Sequence, residues 1–302
     1  MRRTIRKNLF AMSAWKYSFL RPLNLARKLK HLVVSRKPGD WDDRTFSEKK
    51  AWRCRHPDPW VDYALWVDKH RVKNLVAGML DVPKAYLVVH DPADIDTRRL
   101  PDTFVMKATH GWNMSLLVEN GIVQGGNRTT EGAGQMSTST YLQQVARGWL
   151  NSRFEQERQR QERHYRYVRP GILFEESLSP VDYELQLFLF GGQCRFAMVV
   201  YRGFHHARVS TQLYDENWRR LEPGTDEAVA GYEQTADDTV QPPRELLENL
   251  LKLCRSIDHV RADFLVRGGK YYFSEFTFTH NGPSGPGLLG KYDAHLGRFW
   301  SR

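Results

Sequence analysis

"VRADFLVRGGKYYFSEFTF", residues 260–278, reads as a β-hairpin, two apolar and aromatic runs joined by a Gly-Gly pair. Its register decides the chemistry, because side chains alternate along a strand and a slip of one residue sends each to the other face. With three residues in the turn, one of them a left-handed glycine forming a bulge, Asp263 falls opposite Glu275 and Arg261 opposite Thr277. With a two-residue turn the carboxylates lie on opposite faces. The three-residue turn is the expectation carried forward. Facing carboxylates repel, and magnesium, bound by one or two carboxylates and completed by substrate phosphates, is the occupant that relieves them. Arg261 shares that face and is placed to hold a phosphoryl oxygen. Strand-edge charges facing water are the alternative for the same residues.

Upstream, "FVMKATHGWN", residues 104–113, sets Lys107 in the middle of an apolar strand and follows it with a His-Gly turn. A half-buried ammonium is costly without an opposite charge, and the donor-rich turn beside it points to an anion. "FEES", residues 174–177, puts two carboxylates directly after the apolar "GIL". They either solvate a strand end or accept from a ligand's amino group. Lys107 at a strand edge, Arg202 in a loop and Asp182 capping the turn begun by Pro180 also have ordinary structural readings.

The chain has 302 residues, of which 41% are hydrophobic and 12% aromatic, enough for a substantial core. The three cysteines lack CxxC spacing, so neither a disulfide framework nor a zinc site is readable and a reducing cytoplasm is expected. The formal charge of +10 is local. Residues 1–37 hold eleven of the 45 Lys and Arg and no Asp or Glu, so the other 34 basic residues meet 35 acidic ones. A neutral body without RNP-like or zinc-finger spacing sets nucleic acid aside. No apolar run is long enough to span a bilayer.

"PLNLARKLKHLVVSRK", residues 22–37, places Leu25, Leu29, Leu32 and Val33 on one face of a basic amphipathic helix. Such a helix either docks on an anionic surface, peripheral at the inner face of a membrane, or packs on its own domain. A helical stretch is expected from Asp58, its cap, to Gly78. A mobile loop is expected over 124–139, and a long helix from Thr140 to Tyr167. Strands flanked by these helices give an α+β class with two largely antiparallel sheets.

In order along the chain, "LPDTFVMKATHG", "ILFEESL", "DYELQLFLFGG", "YRG", "RADF" and "KYYFSEFTF" resemble the ATP-grasp superfamily, and more narrowly its TupA-like family of polysaccharide biosynthesis, over roughly residues 60–300. The resemblance implies two subdomains gripping ATP between antiparallel sheets. The implied segments are a basic extension (1–50), a reduced helical and strand region (51–103), a first subdomain with phosphate loop and hinge (104–178), and a second with the magnesium and phosphoryl-transfer site (179–302). It implies that Lys107, His110 and Gly111 meet the nucleotide phosphates and that the hinge Phe174, Glu175, Glu176, Ser177 and Leu178 holds adenine, with Glu175 or Glu176 on its amino group. Asp182 would meet the ribose, Arg202 and Arg261 the transferring phosphoryl group, and Asp263, Glu275 and Thr277 the Mg2+. The implied activity is carboxylate–amine ligation through an acyl phosphate on a bacterial glycan or its precursor. A sugar or glycan kinase and a non-catalytic scaffold in glycan assembly are the alternatives. The chain departs from the family in its short phosphate loop, where Trp112-Asn113 follows Gly111, and in Glu184 where lysine is favoured; Thr277, normal for this family, stands where many ATP-grasp enzymes carry asparagine, with Asn281 a substitute. His205, His206 and His280 receive no role.

Overall fold

The computed structural model describes residues 40–302 except 127, 130–133, 135, 157–160, 203–207, 223–239, 281 and 283–289. The amphipathic stretch 22–37, His205, His206 and Asn281 lie outside the described residues. So does the Arg202 side chain, although its backbone ends a strand.

Two antiparallel sheets organise the chain. The smaller comprises β1 (Ala85–Val89), β2 (Phe104–Ala108), β3 (Ser115–Glu119), β4 (Ile122–Gly126) and β5 (Ile172–Glu175), in the order β1-β5-β2-β3-β4. The larger comprises β6 (Tyr183–Phe190), β7 (Gln193–Arg202), β8 (Arg208–Asp215), β9 (Arg220–Leu221), β10 (His259–Arg267) and β11 (Lys270–Thr277), in the order β11-β10-β6-β7-β8-β9. With the helices this is α+β.

Alternation along the strands creates the site. In β2, Phe104, Met106 and Ala108 are buried against helix Thr138–Leu150, whose Tyr141, Leu142, Val145 and Trp149 face them, so Lys107 projects from the opposite face. In β10, Val260, Ala262, Phe264 and Val266 pack into the core beneath the larger sheet, and Arg261 and Asp263 project from the other side. Part of that other side is covered by Phe46, Leu296 and Trp300, which pack on Phe188, Phe196 and Met198.

Four expectations need correction. The hairpin turn holds two residues: Arg267 pairs with Lys270, and Gly268 and Gly269 both have positive φ, 56° and 72°. Asp263 nevertheless faces Glu275 and Arg261 faces Thr277, because the register shifts by one between Phe264–Phe273 and Asp263–Glu275. The extra residue is Ser274, so a bulge on β11 supplies the parity expected of the turn.

The helical stretch after Asp58 is two helices, Tyr63–Trp66 and Lys69–Val76, because Asp62 and then Asp68 each accept from backbone N–H groups and start a new helix. Asp58 is no cap; it is buried in ion pairs with Arg53 and Arg302. The helix begun near Thr140 ends at Leu150, beyond which the apolar period fails and Phe154 turns back beneath Gly111. A Cβ on Gly111 would lie 2.0 Å from that ring. Finally, the stretch 124–139 contributes Gln124–Gly126 to β4 and Thr138 onward to the helix capped by Ser137.

Helix Phe46–Arg55 runs through residue 50, and β1 pairs with β5. No helix among the described residues is long and apolar enough to cross a membrane.

Candidate functional site

Asp68 accepts from the backbone N–H groups of His70 and Arg71 at 2.9 and 3.0 Å, starting helix Lys69–Val76 with Lys69 in its first turn. Positions 69, 72, 73 and 76 form one stripe. Val72 and Val76 fix it on the core under the larger sheet, and Lys69 and Lys73 reach the two sheets from there. Sequence reasoning missed both lysines. The signal was present, since two lysines interrupt what is otherwise the buried stripe of a capped helix.

Lys73 is buried and its ammonium donates to Glu175 Oε2. Lys107 Nζ stands 2.7 Å from the other oxygen of the same carboxylate. Glu175, 1% exposed, is therefore clamped between two ammoniums. Burial opposes its charge, yet Lys107 and Lys73 outweigh burial and hold the carboxyl down at about 2. Burial pulls Lys73 down to about 8 in spite of Glu175. Lys107 is also desolvated, but Glu175 more than compensates and raises it. Glu175 thus aims Lys107 from below.

Lys69 joins the sheets. Its Nζ donates to Gly111 O at 2.6 Å and lies 3.0 Å from Glu275 Oε2, while its backbone N–H donates to Thr109 O at 3.0 Å. Arg261 forks onto Asp263, Nε to Oδ1 at 2.6 Å and Nη2 to Oδ2 at 2.5 Å, and Nη2 also donates to Thr277 Oγ1 at 3.2 Å. Thr277 Oγ1 lies 3.4 Å from Asp263 Oδ2 and 3.3 Å from Glu275 Oε1, so the hydroxyl sits between the two carboxylates. Arg261 Nη1 contacts His280 Nδ1. Burial raises Asp263 to about 6 against the pull of Arg261, with Glu275 and Glu184 adding to the rise. Burial also opposes the charge of Glu275, but Lys69, Arg261 and Lys107 together hold it below its ordinary value. Lys69 thus ties the loop that follows the strand of Lys107 to Glu275 of the larger sheet.

The remaining expected residues are placed as follows. His110 is buried, and its Nε2 donates to Trp149 O at 3.1 Å; burial lowers it to about 4, so the ring is neutral. Gly111 has φ 77° and turns the loop over Phe154. Phe174 and Leu178 are buried, Phe174 in the core against Phe104, which leaves only their backbone for a ligand. Glu176 is half-buried and accepts from Lys84 N at 3.3 Å; Ser177 Oγ accepts from Ser179 N at 3.3 Å. Asp182 is exposed, and its carboxylate accepts from Gly268 N at 2.7 Å, so it also braces the hairpin turn.

Among the described residues no three His, Cys, Asp or Glu side chains gather as a metal cage. Two carboxylates and a hydroxyl are a hard, all-oxygen donor set. It fits magnesium, which takes one or two carboxylates and completes its octahedron with water and phosphate oxygens, and it does not fit zinc.

A family model described as TupA-like ATPgrasp matches residues 48–300. The chain belongs to the TupA-like ATP-grasp family. The comparison with curated proteins finds no match. Similar solved structures include the ATP-grasp ligase PsnB complexed with minimal precursor, at 13% identity, 70% of this chain, 52% of that chain and TM-score 0.37. The D-alanine–D-alanine ligase from Bacillus anthracis complexed with ATP matches at 11%, 71%, 56% and 0.39 in the same order. The macrocyclase MdnC bound with precursor peptide MdnA, from Microcystis aeruginosa MRC, matches at 13%, 99%, 77% and 0.44. The chain spans about half the length of the first two.

Proposed function

We propose that this TupA-like ATP-grasp protein binds MgATP between its two sheets and uses it to join a carboxylate to an amine. One observation carries the reading: Lys69 ties the Gly111 loop, which follows the strand of Lys107, to Glu275 of the larger sheet, where Arg261, Asp263, Glu275 and Thr277 meet. Family membership supports the nucleotide.

On this reading the hinge 174–178 receives adenine through its backbone and Glu176, Asp182 meets the ribose, and Lys107 with the backbone at Gly111 meets the phosphates. Asp263, Glu275 and Thr277 would hold Mg2+, which supplies charge neutralisation at the phosphate oxygens. An acceptor carboxylate oxygen bonds to the γ-phosphorus as the bond to the β,γ-bridging oxygen breaks, and ADP leaves with that electron pair. Arg261 and Arg202 stabilise the charge of the transferring group. The amine nitrogen then bonds to the acyl carbon, phosphate leaves with the C–O electron pair, and the nitrogen releases a proton, giving an amide. The resemblance set out above supports a uronic-acid or amino-acid carboxylate of a bacterial surface polysaccharide or its precursor as acceptor.

Incubation with MgATP, candidate carboxylates and hydroxylamine tests this. The expected products are ADP and a hydroxamate in equal amounts. ADP formed with sugars in the absence of any amine would replace the ligase by a kinase. MgATP binding without ADP release would leave a scaffold.

A further inference from the structure

Gln186, in β6, pairs with Asp263 of β10 on one side and Met198 of β7 on the other. Directly opposed residues in an antiparallel ladder share a face, so Gln186 belongs to the row that runs Glu275, Asp263, Gln186, Met198. It is 6% exposed, and its Oε1 is buried with no hydrogen-bond partner among the described residues. A buried amide oxygen without a donor is unfavourable for the fold, and nothing in the ladder supplies one.

Position tells which ligand group would. The strand rises about 3.3 Å per residue, so Gln186 stands about 13 Å along β6 from Asp182, away from the adenosine end. Across the sheet, Lys69 binds Glu275, the neighbour of Asp263 on the side away from Gln186, and on the ligase reading above the triphosphate lies on that side. In-line transfer brings the attacking oxygen from the side opposite the leaving ADP. That side of Asp263 is Gln186. The amide is uncharged and its next neighbour is the buried, apolar Met198, so a neutral donor suits it better than an ammonium.

We propose that Gln186 is a specificity-determining residue on the acceptor side, its amide oxygen accepting from a hydroxyl or amide N–H that the acceptor carries close to the carboxylate being phosphorylated. The inference rests on the ligase reading above. The same full-length protein and its Gln186→Leu variant are assayed with MgATP, hydroxylamine and one of three carboxylates: D-glucuronate, with hydroxyls; N-acetylglycine, with an amide N–H; or cyclohexanecarboxylate, with neither. The wild type is expected to prefer one of the first two over the third by about tenfold or more in kcat/KM, because a site built to bind a donor rejects the analogue lacking it. Which one it prefers identifies the donor. Gln186→Leu is expected to lose that preference through a higher KM, with MgATP affinity unchanged and Tm unchanged or higher. A variant that keeps the preference overturns the inference alone. So does one whose Tm falls by several degrees, or whose MgATP affinity drops with its activity, since Gln186 would then serve the fold or the nucleotide. No ADP from the wild type with any of the three, while MgATP still binds, removes the ligase reading and this inference with it.

Discussion

Glu175 shows what a single side chain does here. Replacing it by glutamine leaves Lys73 buried beside an uncharged amide, and breaking a buried pair by removing one partner costs about 3 to 5 kcal/mol. Glu175→Gln is therefore expected to unfold at markedly lower denaturant, and adding Lys73→Met to recover part of the loss; equal stability of Glu175→Gln and wild type would contradict the clamp. The pH signs separate this carboxylate from Asp263. Glu175 lies below its ordinary 4.5, so the stability it contributes is complete above 4.5 and lost as pH falls towards 2. Asp263 is raised from 3.8 to about 6, so the folded state holds a proton that the unfolded chain lacks between those values, and its contribution to stability declines as pH rises through that window. On the proposed function, in which the Asp263 carboxylate holds magnesium, MgATP affinity is expected to weaken as pH falls below about 6 while the fold stays intact. Titration calorimetry at pH 5 and pH 7.5 with circular dichroism checks it, and equal affinity at the two values would contradict it. At this scale Lys107, Arg261, Asp263 and Glu275 were legible because charged residues stand in apolar strands. The clamp was not, because Lys73 and Glu175 are far apart in sequence and only the fold brings them together.

The hairpin of β10 and β11 carries the element-scale lesson. Its pairing was legible from the requirement that the carboxylates share a face, but the device was not. Gly-Gly suits a two-residue turn, and nothing in "YYFSEF" marks Ser274 as the bulged residue. Both turn glycines occupy the left-handed region, where other residues cost roughly 1 to 2 kcal/mol each. Gly268→Ala with Gly269→Ala is expected to destabilise the protein by about that much per site, and Asn-Gly in their place to be tolerated. Thermal denaturation of the two variants decides, and a stable Ala-Ala protein would contradict the turn assignment. The helix expected to reach Tyr167 failed for a different reason. Local helical propensity beyond Leu150 loses to the burial of Phe154 beneath Gly111, a contact between residues far apart in the chain.

On the scale of the whole molecule, every candidate site residue lies within 40–302, while the excess positive charge lies in residues 1–37. A chain lacking residues 1–39 is expected to bind MgATP as the full chain does and to lose any association with anionic vesicles at low salt; weaker nucleotide binding would place part of the site in that segment. The α+β class and the two antiparallel sheets were legible from strand patterning and motif order. The tie between the sheets was not, because Lys69 and Lys73 come from a helix that no motif marks. On the proposed function the two sheets form one MgATP site, with Lys107 on one wall and Glu275 on the other. Calorimetric titration of MgATP into wild type, Lys107→Met and Glu275→Gln, repeated with ATP in EDTA, tests it most directly. The expected result is one site in the wild type, about tenfold or greater weakening in Lys107→Met with or without metal, and loss of the magnesium dependence in Glu275→Gln. Wild-type affinity in both variants, or no binding of MgATP to the wild type, would contradict it.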